Sequence, residues 1–231
     1  MCGRFTLRTP AAELAQMFAL LDLAELVPRY NIAPTQPVLT VREQDSQRTH
    51  ALTRWGLVPF WAKDLKIGAR MINARAETVA TKPAFRAAWK KRRCLIPVDG
   101  FYEWQRTGRS KTKQPWLMEM TEGRAFAFAG LWESWGAKDA DATERVETCT
   151  VITTTPNSVL EDLHDRMPVI IQETDFAEWL SPASDLNELD RLLVPSPPED
   201  MTRRAVNPIV NNARNEVPEG VQSADDQQSL F

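Results

Sequence analysis

Apolar positions along this chain come in short blocks whose period switches between helical and extended. After Thr9 and Pro10, Leu14, Met17, Phe18 and Leu21 fall on one helical face, so a capped amphipathic helix is expected, with the proline tolerated in its first turn. Val27–Pro37 holds three prolines and is expected to be an ordered loop without regular structure. Gln36–Val41 and Ala51–Val58 read as strands around a polar turn at Glu43–Gln47. Thr81-Lys82-Pro83 opens a helix with Phe85, Ala88 and Trp89 on one face, closed by the cations Lys90–Arg93. Strands are expected at Cys94–Val98, Trp116–Met120, Ala125–Leu131, Thr148–Thr153 and Val169–Ile171. Helices follow at Asp175–Leu180, with an Asp-x-x-Glu start resembling a capping box, and at Ser184–Leu193. The chain beyond Val217 reads as a loose tail, leaving one domain over residues 1–217. Strands and helices do not alternate regularly. The expected class is therefore α+β, with a mixed, largely antiparallel, curled or barrel-like sheet flanked by helices.

Composition narrows the functional classes. At 231 residues, 43% apolar and 26% charged, the chain can bury a real core and is neither disordered nor fibrous. No apolar run approaches the roughly 20 residues of a membrane helix, and MCGRFTLRTP lacks the apolar stretch of a secretory signal. A soluble cytoplasmic protein, monomeric and without a membrane partner, is expected. Net charge is −3, but Arg54–Lys113 carries fifteen basic residues against four acidic ones. That segment is either a solvated face or the footprint of a polyanion ligand. Cys2, Cys94 and Cys149 form no CxxC pair, and no Gly-rich phosphate loop appears, so neither a metal nor any other cofactor is expected.

Cys2 is the sharpest chemical feature. Removal of Met1 would make it a 1,2-aminothiol, whose amine (pKa near 8) and thiol (near 8.5) both supply nucleophile at neutral pH. Such a pair can close a thiazolidine on an aldehyde or act as an N-terminal nucleophile on an amide. The competing reading is a small buried hydrophobe. Glu103, between Tyr102 and Trp104, is either a desolvated acid/base carboxyl or a strand carboxylate facing water. His164 has the pKa of a proton shuttle, but among Asp162, Asp165 and Arg166 it also fits a salt-bridged helix end. Asn73 could hold a turn, and Phe60 and Trp61 could be core. His50 reads as a surface residue, while Cys94 and Cys149 read as inert core thiols.

Six blocks occur in order: MCGRF, RYNIAP (Arg29–Pro34), RWGLVPFWA (Arg54–Ala62), INARAET (Ile72–Thr78), CLIPVDGFYEW (Cys94–Trp104) and LHDRMPV (Leu163–Val169). Together, across almost the whole chain, they resemble the SOS response-associated peptidase family, also called abasic site processing proteins.

The resemblance implies that fold and a covalent reaction. The mature N-terminal cysteine joins the ring-opened aldehyde of an abasic site in single-stranded DNA as a thiazolidine, shielding the lesion. Cys2 matches the nucleophile, Asn73 the residue orienting its amine, Glu103 the acid/base group and His164 the histidine assisting ring opening. The same four residues are associated with removal of the residue before Cys2, and related members show lyase activity. Arg4, Arg75 and Arg166 match arginines that grip phosphates, and Pro34, Phe60, Trp61 and Thr153 fall at substrate-channel positions. Replication and repair proteins are expected as further partners. Two other classes stay open: a self-processing thiol peptidase acting on proteins, and a noncatalytic single-strand binder.

Overall fold

The computed structural model describes residues 2–105, 113–136 and 144–224. In chain order the strands and helices are β1 (Phe5–Leu7), α1 (Ala11–Phe18), β2 (Arg29–Ile32), β3 (Pro37–Gln44), β4 (Gln47–Trp55) and β5 (Asn73–Arg75). Next come α2 (Arg86–Lys91), β6 (Arg93–Val98), β7 (Gly100–Gln105), β8 (Gln114–Met120), β9 (Phe126–Trp135) and β10 (Val146–Thr154). The last are β11 (Met167–Pro168), β12 (Ile170–Ile171), α3 (Phe176–Leu180), α4 (Leu186–Leu189) and β13 (Met201–Ala205).

Five strands close a ring. β3 pairs antiparallel with β4 and β6, β6 with β9, and β9 with β10, while β10 runs parallel to β4 and completes the circuit. β5, β11 and β12 extend it. A second sheet, in the order β13-β8-β7-β1-β2, packs against the ring. Phe5 of β1 joins the two, with its ring 5.0 Å from Trp55 and 5.9 Å from Phe128, and Phe128 lies 5.7 Å from Phe101 of β7. All six residues of β6 are buried, as expected of a strand covered on both faces. The expected mixed, barrel-like α+β fold is therefore what forms.

The corrections are local. Leu21 is 91% exposed, because α1 stops at Phe18 and Ala19 turns left-handed at φ 51°. Pro10 precedes that helix without a side-chain cap. Arg29–Ile32 is a strand: the prolines on either side leave four residues free to pair with β1. The hairpin between β3 and β4 turns on Asp45 and Ser46, both left-handed. α2 ends at Lys91, and Arg93 instead opens β6. It is buried, donating to the carbonyls of Trp89, Trp179 and Ser181 and so satisfying the ends of α2 and α3. Asp175 caps nothing with its side chain, since a 3-10 turn over Glu173–Asp175 runs straight into α3. The helix expected over 184–193 is one α-helical turn, α4, followed by a 3-10 turn.

The chain beyond Val217 is not loose over its first seven residues. Pro218–Val221 forms a 3-10 turn, and Ser223 bridges to Val206. Residues 225–231 of the expected tail, Met1, and Arg106, Arg109 and Lys111 of the basic segment lie outside the described residues. Among the described residues no helix is long and apolar enough to cross a membrane.

Candidate active site

β1 runs antiparallel to β7, and the Tyr102 N–H donates to the Arg4 carbonyl at 3.0 Å, which carries residues 2–4 alongside Tyr102–Trp104. Cys2 thereby enters the molecule from the β7 side and is fully buried, its Sγ 4.0 Å from the Arg4 carbonyl. From the ring side, β5 lies parallel on β10 and presents Asn73, whose Nδ2 donates to the Cys2 carbonyl at 2.8 Å. The Asn73 Oδ1 is buried without a hydrogen-bond partner among the described residues. Burial, and next the negative field of Glu103, push the Cys2 thiol well up.

Glu103, in β7 opposite Trp116 of β8, is only 4% exposed. Burial pushes its carboxyl up to about 7; the Asp165 carboxylate adds to the rise and the Lys113 ammonium opposes it. Glu103 and His164 line one cavity of about 590 Å³ with Trp104, Gln105, Lys113, Asp162 and Leu163. His164 Nδ1 accepts the Arg166 backbone N–H at 2.9 Å and lies 2.8 Å from the Asp165 carboxylate. Those contacts suit different states: the N–H needs the Nδ1 lone pair of neutral imidazole, the carboxylate a proton on Nδ1. In the first state the proton sits on Nε2; a proton on Nδ1 leaves Nε2 bare unless the ring is the doubly protonated imidazolium. Burial, first, holds the His164 pKa below the usual histidine value, with Asp165 pulling the other way. The structure thus brings Cys2, Asn73, Glu103 and His164 to one region. It also resolves the choice for Glu103, whose carboxyl is desolvated rather than facing water.

The remaining expected residues divide in two. Phe60 and Trp61 are 60% and 50% exposed, so they are surface aromatics rather than core. Their loop is set by a close approach of Gly56 (φ 127°) to Gly68, where a Cβ on Gly56 would meet the Gly68 carbonyl oxygen at 2.5 Å. Arg75 is exposed and Pro34 is half-buried. The others have internal partners. Arg4 donates to Asn31 Oδ1 at 2.6 Å and to the Val210 carbonyl at 2.9 Å, with its guanidinium over Trp104. Arg166 is nearly buried, forked onto Glu77 and bonded to the Thr153 carbonyl. Thr153 is fully buried, its hydroxyl donating to Ala74. Cys94 and Cys149 are buried core thiols, with Cys149 pushed up to about 12 by burial.

Sequence reasoning missed the segment that braces this region. Asn31 Nδ2 donates to the carbonyls of Asn212 and Asn215 at 3.1 and 2.8 Å, and Glu216 accepts from the N–H groups of Tyr30 and Asn31. Asn211 accepts from Trp104 Nε1 at 2.6 Å and donates to the Lys113 carbonyl at 3.1 Å, tying together two residues of the cavity wall. Nothing in the local pattern of NPIVNNARNE marks these contacts.

Known proteins resemble this chain over nearly its whole length. The family model described as SOS response associated peptidase (SRAP) matches residues 1–213. The chain is 44% identical to the Abasic site processing protein YoqW of Bacillus subtilis, covering 96% of this chain and all of that one. It is 29% identical to the Abasic site processing protein HMCES of Rattus norvegicus, over 97% of this chain and 76% of that one. A crystal structure of a protein from Bacteroides thetaiotaomicron superposes with a TM-score of 0.82 at 27% identity, covering 96% of this chain and 100% of the other.

Proposed function

Since this chain belongs to the SOS response associated peptidase family and is similar to proteins named abasic site processing proteins, we propose that it captures abasic sites in single-stranded DNA as a covalent thiazolidine on Cys2, once Met1 is removed. One observation carries the reading. A buried carboxyl, with its pKa pushed up to about 7, shares a cavity with a histidine and acts electrostatically on a cysteine whose carbonyl is held by Asn73.

The chemistry needs proton transfers in both directions. An abasic sugar rests mainly as a closed hemiacetal, so a donor must protonate the ring oxygen to release the aldehyde. The protonated Glu103 is suited to that role, and the Nε2–H of neutral His164 can hydrogen-bond the oxygen as it leaves. The free Cys2 amine then adds to the carbonyl carbon, and the carbinolamine loses one water to give an imine. A carboxyl titrating near neutrality can take the proton from nitrogen and deliver one to the leaving hydroxyl. Finally the Cys2 sulfur adds to the imine carbon, the S–H proton passes to nitrogen, and the five-membered ring closes with a net loss of one water. Because burial disfavours free thiolate, proton removal coupled to S–C bond formation is the favourable course.

Phe60 and Trp61 supply exposed ring faces for bases, and Arg75 supplies an exposed cation for phosphate. Neither reads sequence, which suits lesions in any context. Release of the residue before Cys2 and lyase activity belong to the same proposal, as does a cytoplasmic location, on the nucleoid when bound.

The test is an oligonucleotide carrying one abasic site. A denaturation-resistant band, absent in Cys2→Ala, with an intact mass equal to protein plus DNA minus one water, is expected. Repeated turnover of a peptide without that band would favour the thiol peptidase. Salt-sensitive binding to undamaged strands, equal in Cys2→Ala and without adduct, would favour a simple binder.

A further inference from the structure

Glu77 has no role in the chemistry above, yet it holds both arms of a guanidinium that reaches the site. Its Oε1 and Oε2 accept from Arg166 Nη1 and Nη2 at 2.5 and 2.9 Å. The Arg166 side chain is 11% exposed, and Nη2 also donates to the Thr153 carbonyl of β10. The backbone N–H of the same Arg166 donates to His164 Nδ1. Glu77 sits in the 3-10 turn Ala76–Thr78 that directly follows β5, the strand bearing Asn73. One arginine therefore joins the Asn73 strand, β10 and the His164 segment.

We propose that Glu77 is a positioning residue for His164: its two-pronged grip on Arg166 fixes the backbone N–H that selects the Nε2–H tautomer and aims it into the cavity. The proposal deepens the capture reading and rests on it. A bidentate carboxylate–guanidinium pair fixes orientation as well as distance, which suits a clamp rather than a mere neutraliser. The Arg166 hydrogen bond, first, holds the Glu77 carboxyl below its ordinary value, so the clamp stays charged through the neutral range. The charged groups around His164 are Asp165 and Arg166 on its own segment and Glu103, Lys113 and Asp162 on the cavity walls.

The experiment uses the full chain with Cys2 exposed, in wild-type, Glu77→Ala and Glu77→Gln forms. Capture of a single-stranded abasic oligonucleotide is timed, and binding to the undamaged strand is measured alongside. The chain has two histidines, so proton NMR can titrate His164 with His50 as an internal reference. Glu77→Ala is expected to slow capture on the order of tenfold, within the ~100-fold that a 1 Å misplacement can cost. Undamaged-strand binding should hardly change. The His164 titration should shift, because the Arg166 N–H at Nδ1 loosens and the Arg166 charge beside the ring loses its carboxylate partner. Glu77→Gln, which keeps an acceptor of the same shape, should fall between.

A lower melting temperature with unchanged His164 titration and unchanged capture would overturn the proposal. Faster capture and tighter binding in Glu77→Ala would also overturn it, showing that Glu77 merely competes with phosphate. If wild type itself made no adduct, the capture reading would fail instead, and the histidine titration would still decide the clamp.

Discussion

The Asn73 side-chain amide donates to the backbone carbonyl of Cys2 at 2.8 Å, across 71 positions of sequence. The bond fixes the peptide unit next to the nucleophile rather than the thiol itself, so the amine and sulfur of Cys2 keep a constant bearing on the cavity. An orienting group of this kind should affect rate more than affinity. Asn73→Ala is expected to slow adduct formation at least tenfold while leaving binding to undamaged strands within about twofold. Timed denaturing gels and anisotropy titrations measure the two separately.

Cys2→Ser keeps the amine and replaces sulfur with a poorer ring-closing nucleophile. The variant should still condense with the aldehyde, but its adduct should fall apart on heating while the wild-type adduct survives. Equal heat resistance in the two would count against a thiazolidine.

The Glu103 carboxyl is raised from an ordinary value of 4.5 to about 7. Between those values the folded protein binds more protons than the unfolded chain, so stability falls as pH rises from about 4.5 to about 7 and levels off above. Glu103→Gln should flatten that slope in melting curves. The acid form needed for ring opening is lost above about 7, so wild-type capture should decline there. The variant should be slower throughout, without that limb and with DNA affinity preserved.

Phe60 and Trp61 are exposed enough that removing either ring leaves no core cavity. Each alanine variant should weaken single-strand binding by about 1–3 kcal/mol, with melting temperature nearly unchanged. A large loss of stability without loss of binding would return these rings to a packing role.

Asn31 is fully buried and feeds the carbonyls of the segment after Val206 as well as accepting from Arg4. Asn31→Ala strands several of these groups, at about 1–3 kcal/mol for each one left buried and unpaired. Hydrogen exchange should localise the loosening to residues 207–216 and to the start of the chain.

Much of this was legible in the sequence because it is local. Runs such as CLIPV and TCTVITT are apolar over strand length wherever they are placed, so β6 and β10 could be read directly. The ordered motif blocks carried the family, and with it Asn73, Glu103 and His164 as candidates. Tertiary structure decided the rest. The ring closes through a parallel pairing of β4 with β10, nearly a hundred residues apart. Glu103 is desolvated because tertiary packing leaves it only 4% exposed. Arg166, a phosphate arginine by resemblance, meets Glu77 from 89 positions away, and Arg4 meets Val210 across 206. Hydrogen bonds and burial between groups so far apart leave no periodicity in the chain, since their energy depends on where the fold brings them and not on their neighbours in sequence.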